Sequence, residues 1–165
     1  INQKINISST TNNNNKKLTS NFDTVNEIRV LPGTQLNYFS DKSLKDFYLN
    51  KYKVTNNTDR MGARLEGYKL EHLNSFNIPS EGIAKGSIQV PGDGQPIVLL
   101  NDHPTVGGYP KIAHIITADY NNFIQKQPGS EITFKKVSLK EAELAFNEHV
   151  LYKKKQQLLI SNNNE

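Results

Sequence analysis

Between residues 83 and 137 the chain repeats one arrangement, a short apolar or alternating run followed by a turn built on glycine or proline. The runs are Ile83–Val90, Gln95–Leu100, Lys111–Thr117 and Glu131–Val137, and the turns are Pro91-Gly92-Asp93-Gly94, Val106-Gly107-Gly108 and Pro128-Gly129-Ser130. Segments this short and this regularly interrupted read as strands, whose two-residue period sends alternate side chains to opposite faces. Upstream, Val25–Leu31 before Pro32–Gly33 reads as a further strand, as do Tyr52–Val54 and Ala63–Leu70 around an Asn56–Asn57 turn signal. Several short strands at this spacing predict a mostly β barrel or sandwich with a few short helices.

Three helices interrupt the pattern. Ser40 or Asp41 can cap one running to Leu49, with Leu44, Phe47 and Tyr48 on one face, which would plug a barrel end or cover a sheet edge. A second is expected at Asp119–Gln125. Ser138-Leu139-Lys140-Glu141 matches a capping box, opening a third whose Ala142, Ala145, Phe146, His149 and Val150 form a stripe; it is expected to end near Tyr152 and continue as a charged tail.

A chain of 165 residues is sized for one domain with its own core. Residues 1–24 form a polar tract, including Asn12 to Asn15, expected to be a linker or disordered arm; residues 25–138 are the expected β domain and residues 139–165 the helix and tail. The chain opens on Ile1 rather than Met, so it is expected to be part of a longer protein. Its net charge of +4 sits largely in Lys16–Lys17 and Lys153–Lys155, without the basic, aromatic-studded face that nucleic acid requires. With no cysteine there is no disulfide framework and no thiolate site. No apolar run reaches the roughly 20 residues that span a bilayer, and the N-terminus lacks a signal-peptide layout, so a cytoplasmic setting without membrane contact is expected.

Three stretches carry the candidate chemistry. If residues 60–67 are extended, Arg60, Arg64 and Glu66 face away from Met61, Ala63 and Leu65, presenting two guanidinium forks to a carboxylate or phosphate. A surface Arg–Glu pair of little energetic weight fits the same spacing. In the hairpin of residues 86–96, Ile88 and Val90 face the core while Ser87 and Gln89 face outward, and Asp93 and Gln95 offer polar groups at a glycine-rich tip. After the apolar strand, residues 101–111 gather Asp102, His103, Thr105, Gly107, Gly108, Tyr109 and Lys111. Asp102 could orient His103, either could act as general acid or base, and Lys111 could hold a carboxylate, making these three the catalytic candidates. The paired glycines match no phosphate-loop or dinucleotide fingerprint. His114 reads as a satisfied core histidine. No histidine pair has ligand spacing, so no structural metal is expected.

Taken in order, Arg29-Val30-Leu31-Pro32-Gly33, residues 59–67, Ser80-Glu81-Gly82-Ile83, residues 86–91, Gly94-Gln95-Pro96-Ile97, Gly107-Gly108-Tyr109-Pro110-Lys111, Asp119 and Gln127-Pro128-Gly129 resemble one family. It is the biotin-dependent carboxyltransferase-like family, which takes in the 5-oxoprolinase C-subunit, KipA-type regulators and allophanate hydrolase subunit 2-type domains. The resemblance implies a cyclophilin-like β-barrel forming the second of two similar halves, the first preceding Ile1. It also implies two partner proteins, one like the B-subunit (KipI-type) and one like the A-subunit, and ATP with Mg for cleavage of 5-oxoproline to glutamate. Alternatives are biotin-linked carboxyl transfer, with biotin supplied by a partner, and a regulator that binds an inhibitor of a sensor kinase. Carried over residue by residue, the ligand-binding positions are Arg60, Arg64, Glu66, Gln89, Asp93, Gln95, Thr105, Gly107, Gly108 and Tyr109, with Lys111, and a small amide or carboxylate is the implied substrate. Arg64, Gln89 and Tyr109 are expected to open onto one concavity. The family usually reads Arg-Gln-Thr-Thr-Gly-Gly where this chain has His103-Pro104-Thr105-Val106-Gly107-Gly108, a weaker base and a rigid ring in place of a cation and an amide.

Overall fold

The structure, a computed structural model, describes residues 26–161, with side chains through residue 158. The arm expected over residues 1–24 therefore lies outside the described residues, as does Val25.

Among the described residues the apolar alternation is realised as nine strands: β1 (Glu27–Pro32), β2 (Tyr52–Thr58), β3 (Gly62–Gly67), β4 (Glu81–Gly82), β5 (Ser87–Gln89), β6 (Ile97–Leu99), β7 (Val106–Gly107), β8 (Lys111–Ile115) and β9 (Glu131–Lys136). Seven close into a barrel in the order β1-β8-β5-β6-β3-β2-β9, and β4 pairs with β7 as a separate two-stranded flap. The barrel closes through the parallel pair β1 and β9, the other barrel pairs being antiparallel. Closure leaves no unpaired edge in the barrel. Of the mostly β barrel or sandwich that the strand spacing predicts, the barrel, which the family resemblance implies, is the observed architecture.

Inward positions follow the two-residue period: Ile28 and Val30, Ala63 and Leu65, and Ile132 and Phe134 are all buried. Helix α1 (Asp41–Leu49) is capped by Ser40, whose Oγ accepts the Ser43 N–H at 3.1 Å. It packs on β9, stacking Phe47 on Phe134 at a centroid distance of 4.7 Å. Helix α2 (Thr117–Ile124) buries Tyr120 and Phe123 and is tied to β1 through Asp119, which takes the Arg29 guanidinium at 2.5 Å and the Arg29 backbone N–H at 2.8 Å. Helix α3 (Leu139–Ser161) opens on the predicted capping box, with Glu141 Oε2 accepting from Ser138 N and Oγ at 2.7 Å each. It does not end near Tyr152. Lys, Gln and Leu are good helix formers, and their charge does not break a helix, so it runs on through Lys153–Lys155.

Other boundaries also shift, for local reasons. Asn56 and Asn57 lie within β2, where the register slips between Val54 and Thr58. The turn falls instead at Asp59, whose Oδ1 accepts the N–H groups of Met61 at 2.8 Å and Gly62 at 2.9 Å. Consequently Met61 and Arg60 sit in the turn rather than on the strand, and Met61 is exposed. The run Ile83–Val90 is broken at Gly86, whose φ of +84° takes the chain out of extended geometry. The expected turn at Val106–Gly107 is strand β7.

Candidate functional site

Register decides which candidates meet. Arg64 on β3 pairs with Ile97 on β6, Ile97 with Gln89 on β5, and Gln89 with Lys111 on β8. The neighbouring row, Ala63, Val98, Ile88 and Ala113, is buried in the core. The β5–β8 register slips between Ile88 and Gln89, which sets Lys111 rather than Ile112 opposite Gln89. Through that slip Arg64, Ile97, Gln89 and Lys111 form one lateral row on the outer wall of the barrel, about 14 Å across three strand spacings.

At the Arg64 end lies an open hollow of about 770 Å³ whose polar lining includes Lys53, Asn56, Asn57, Arg64, Glu66, Asp93 and Gln95. Lys53 and Glu66 are cross-strand partners within it. Some of this lining is already committed to holding the hollow in shape. Gln95 Oε1 accepts the Gly67 N–H at 2.9 Å and its Nε2 donates to the Gly67 carbonyl at 3.3 Å, pinning the end of β3 to the β5–β6 hairpin. Asp93 Oδ1 accepts the Gln95 N–H at 3.0 Å. Lys53, Arg64, Glu66 and the Asn56 and Asn57 carboxamides remain to meet a polar solute that carries both charge and amide groups.

At the other end Gln89 and Lys111 are almost wholly buried, although both point away from the core. The flap covers them. A side chain on Gly107 would place its Cβ 2.8 Å from Gln89 Nε2, so the flap lies directly on the row, and that Nε2 donates to the Tyr109 carbonyl at 3.3 Å. Lys111 Nζ pairs with Glu81 Oε1 from β4. Gln35 Nε2 donates to the same oxygen at 2.8 Å, while Gln35 Oε1 accepts the Lys111 N–H at 3.2 Å. This ammonium, and then the Gln35 amide, hold the Glu81 carboxyl below its ordinary range. Gln35 reaches this position because Gly33 lets the chain after β1 press onto β8, a Cβ there falling 2.1 Å from the Lys111 carbonyl oxygen.

The remaining candidates stand apart. Arg60 Nε pairs with Asp102 Oδ2 at 2.6 Å on the surface, and His103 Nδ1 turns to the Pro104 carbonyl at 2.6 Å. Asp102 is thus held by Arg60 and does not orient His103, as befits loop neighbours whose side chains diverge. Thr105 contributes its carbonyl to the flap, accepting from Ile83 N at 3.1 Å, and the Gly108 carbonyl accepts from Ile78 N at 2.8 Å. Arg64, Gln89 and Tyr109 do not open onto one hollow: Arg64 lines the open one, whereas Gln89 and Tyr109 meet under and beside the flap. His114 is half-buried on the outer wall, its Nδ1 3.2 Å from Ser87 Oγ, and burial holds it below the usual histidine range. Gln35 and Lys53 are not singled out by sequence reasoning, Asn56 and Asn57 only as a turn signal, and Glu81 only within a resemblance block. No local motif marks them, since their partners are remote in sequence. Among the described residues no group of three or more His, Asp or Glu is placed to hold a metal ion, and no helix is long and apolar enough to cross a membrane.

Comparison with known proteins adds to this geometry. The family described as carboxyltransferase domain, subdomain A and B, matches residues 2–136. The 5-oxoprolinase C-subunit of Haemophilus influenzae is 42% identical over 125 residues, covering 76% of this chain and 40% of that protein. Its counterpart in Escherichia coli is 42% identical over 117 residues, covering 71% and 38%. Among solved structures, the urea carboxylase of Kluyveromyces lactis superposes with a TM-score of 0.67 at 27% identity, over 71% of this chain and 11% of that one. The chain spans about two-fifths of the length of these two curated relatives. With a family match that takes in residues 2–136, most of its length, the chain belongs to the carboxyltransferase domain, subdomain A and B, family.

Proposed function

We propose that this chain is part of a component of an ATP-dependent 5-oxoprolinase, the one resembling its C-subunit, and that its outer barrel wall contributes to the ligand site. The observation that carries this reading is the 42% identity to two 5-oxoprolinase C-subunits. The wall supports it chemically. A cyclic amide that also bears a carboxylate needs a cation and amide-pairing groups within reach of each other, and the Arg64 hollow offers both beside Asn56 and Asn57. On this reading the chain is one half of a longer protein. It works with partners resembling the A-subunit and the B-subunit of such an enzyme, and it shares ATP and its Mg with them. Lys53 and Arg64 suit phosphate oxygens, while Mg would take further oxygen ligands from the phosphates and from a partner.

The test is ADP release dependent on 5-oxoproline, using the full-length protein with both partner proteins. Turnover is expected, with Arg64→Ala lowering kcat/KM by roughly tenfold or more, the effect of losing a charge-assisted contact. No turnover in any combination rejects the reading. The likeness to a urea carboxylase supports a second one, carboxyl transfer from carboxybiotin carried by a partner, and carboxybiotin-dependent urea carboxylation by the same assembly would select it.

A further inference from the structure

The Lys111 end of the row holds a charged arrangement that the reading above leaves unused. Lys111 belongs to the barrel and is 8% exposed. Gln35 belongs to the loop that Gly33 presses against β8. Together they aim an ammonium and a primary amide at one point, and a carboxylate oxygen of Glu81 sits there. Glu81 is of a different kind. It comes from a two-residue strand outside the barrel, in a sheet whose one partner strand is β7, and its side chain is 44% exposed. The donors are thus built into the wall, and the acceptor is carried on a peripheral element.

Burial makes an anion at this point obligatory. An ammonium as covered as that of Lys111 is costly without a counter-charge, so Glu81 cannot leave alone without a large penalty. It can leave in exchange for another carboxylate, because its own charge then moves into water while Lys111 stays paired. The exchange also has a consequence along the row. Gly107 lies on Gln89, whose Nε2 is tied to the Tyr109 carbonyl, so moving the flap frees a carboxamide next to the incoming carboxylate.

We propose that Lys111 Nζ and Gln35 Nε2 form a binding site for a small carboxylate, that Glu81 fills it in the free protein, and that ligand entry displaces Glu81 with the flap. A ligand bearing an amide close to its carboxylate gains the additional partner Gln89. The inference rests on the reading of this wall as a ligand site and names the group that each residue would recognise.

The test is amine acetylation of Lys111 in the full chain, followed by peptide mass spectrometry, in wild type, Glu81→Ala and Glu81→Gln. Lys111 is expected to react slowly in wild type and about tenfold faster in Glu81→Ala, the loss of one charge-assisted contact, with Glu81→Gln between them. Acetate or 5-oxoproline should restore protection in Glu81→Ala, and the neutral amide of 5-oxoproline should not. Equal labelling of wild type and Glu81→Ala overturns the proposal, as does faster labelling that neither carboxylate suppresses. Acetate contains no lactam, so protection by acetate in an assembly that releases no ADP leaves the carboxylate site standing while the oxoprolinase reading falls. ADP release without any protection of Lys111 removes the site alone.

Discussion

Arg64 and Lys111 stand at opposite ends of one cross-strand row, yet their surroundings differ in kind. Arg64 faces an open hollow whose neighbouring side chains, Gln95 above all, are tied to backbone. Lys111 lies under a two-stranded flap and is paired with a carboxylate from that flap. The β5–β8 pairing beneath Lys111 slips in register where the β3–β6 pairing beneath Arg64 is regular, and a flap is laid over the Lys111 end alone. A guanidinium left in water can wait unpaired at little cost, whereas a covered ammonium must carry its own counter-ion.

Three experiments break or sharpen that contrast. The largest effect is expected from Gly33→Val. A Cβ 2.1 Å from the Lys111 carbonyl oxygen cannot be accommodated without moving the Gln35 loop, and urea unfolding should show a loss of about 3 kcal/mol. Arg64→Ala at the open end should stay within about 0.5 kcal/mol of wild type. A Gly33→Val protein as stable as Arg64→Ala would mean that the covered end is no tighter than the open one.

A smaller loss belongs to the open end. Gln95→Ala removes both contacts to the Gly67 backbone and should cost about 1–2 kcal/mol, with faster hydrogen exchange at Gly67 N–H and none at Ile83 N–H in the flap. Acceleration at both amides would show that the two ends are coupled.

The smallest effect is a dependence on pH confined to the covered end. The Lys111 ammonium and the Gln35 amide hold Glu81 below the ordinary glutamate range. The unfolded chain therefore binds this proton more readily than the folded one. The contribution of the pair is present above the ordinary glutamate value and is lost only as pH falls through the lower, folded value. An NMR titration of the Glu81 carboxyl should give a midpoint below the ordinary glutamate range, and Lys111→Met should raise it toward that range. A wild-type midpoint within the ordinary range would mean that the pair does not form in solution.

The legible parts of the fold are those set by neighbours along the chain. The Ser40 cap and the Ser138–Glu141 box are satisfied within three residues, and Ile28, Val30, Ala63, Leu65, Ile132 and Phe134 announce their inward face by alternation alone. Breaks in the pattern were harder to read. Asn56–Asn57 resembles a turn, but the neighbouring Asp59 satisfies the turn's N–H groups better; Gly86 looks like one more strand residue until its positive φ ends the run. The site was legible only in part. Arg64, Gln89 and Lys111 were named from sequence, but that they share a row depends on strand register, which pairs residues far apart in the chain.

What the amino-acid sequence by itself determined is most of the barrel strands and the three helices, the inward faces, and a short roster of polar residues on the outward ones; the flap strands β4 and β7 were not among them. Those properties follow from interactions over a few residues and from the two-residue period. Only the tertiary structure decided that Gln35 reaches Lys111 across 76 residues, that Glu81 meets it across 30, and that Asp102 turns to Arg60 instead of His103. Such contacts are set by barrel closure and by where the flap comes to rest, and both arise from packing between segments that no local pattern relates to one another.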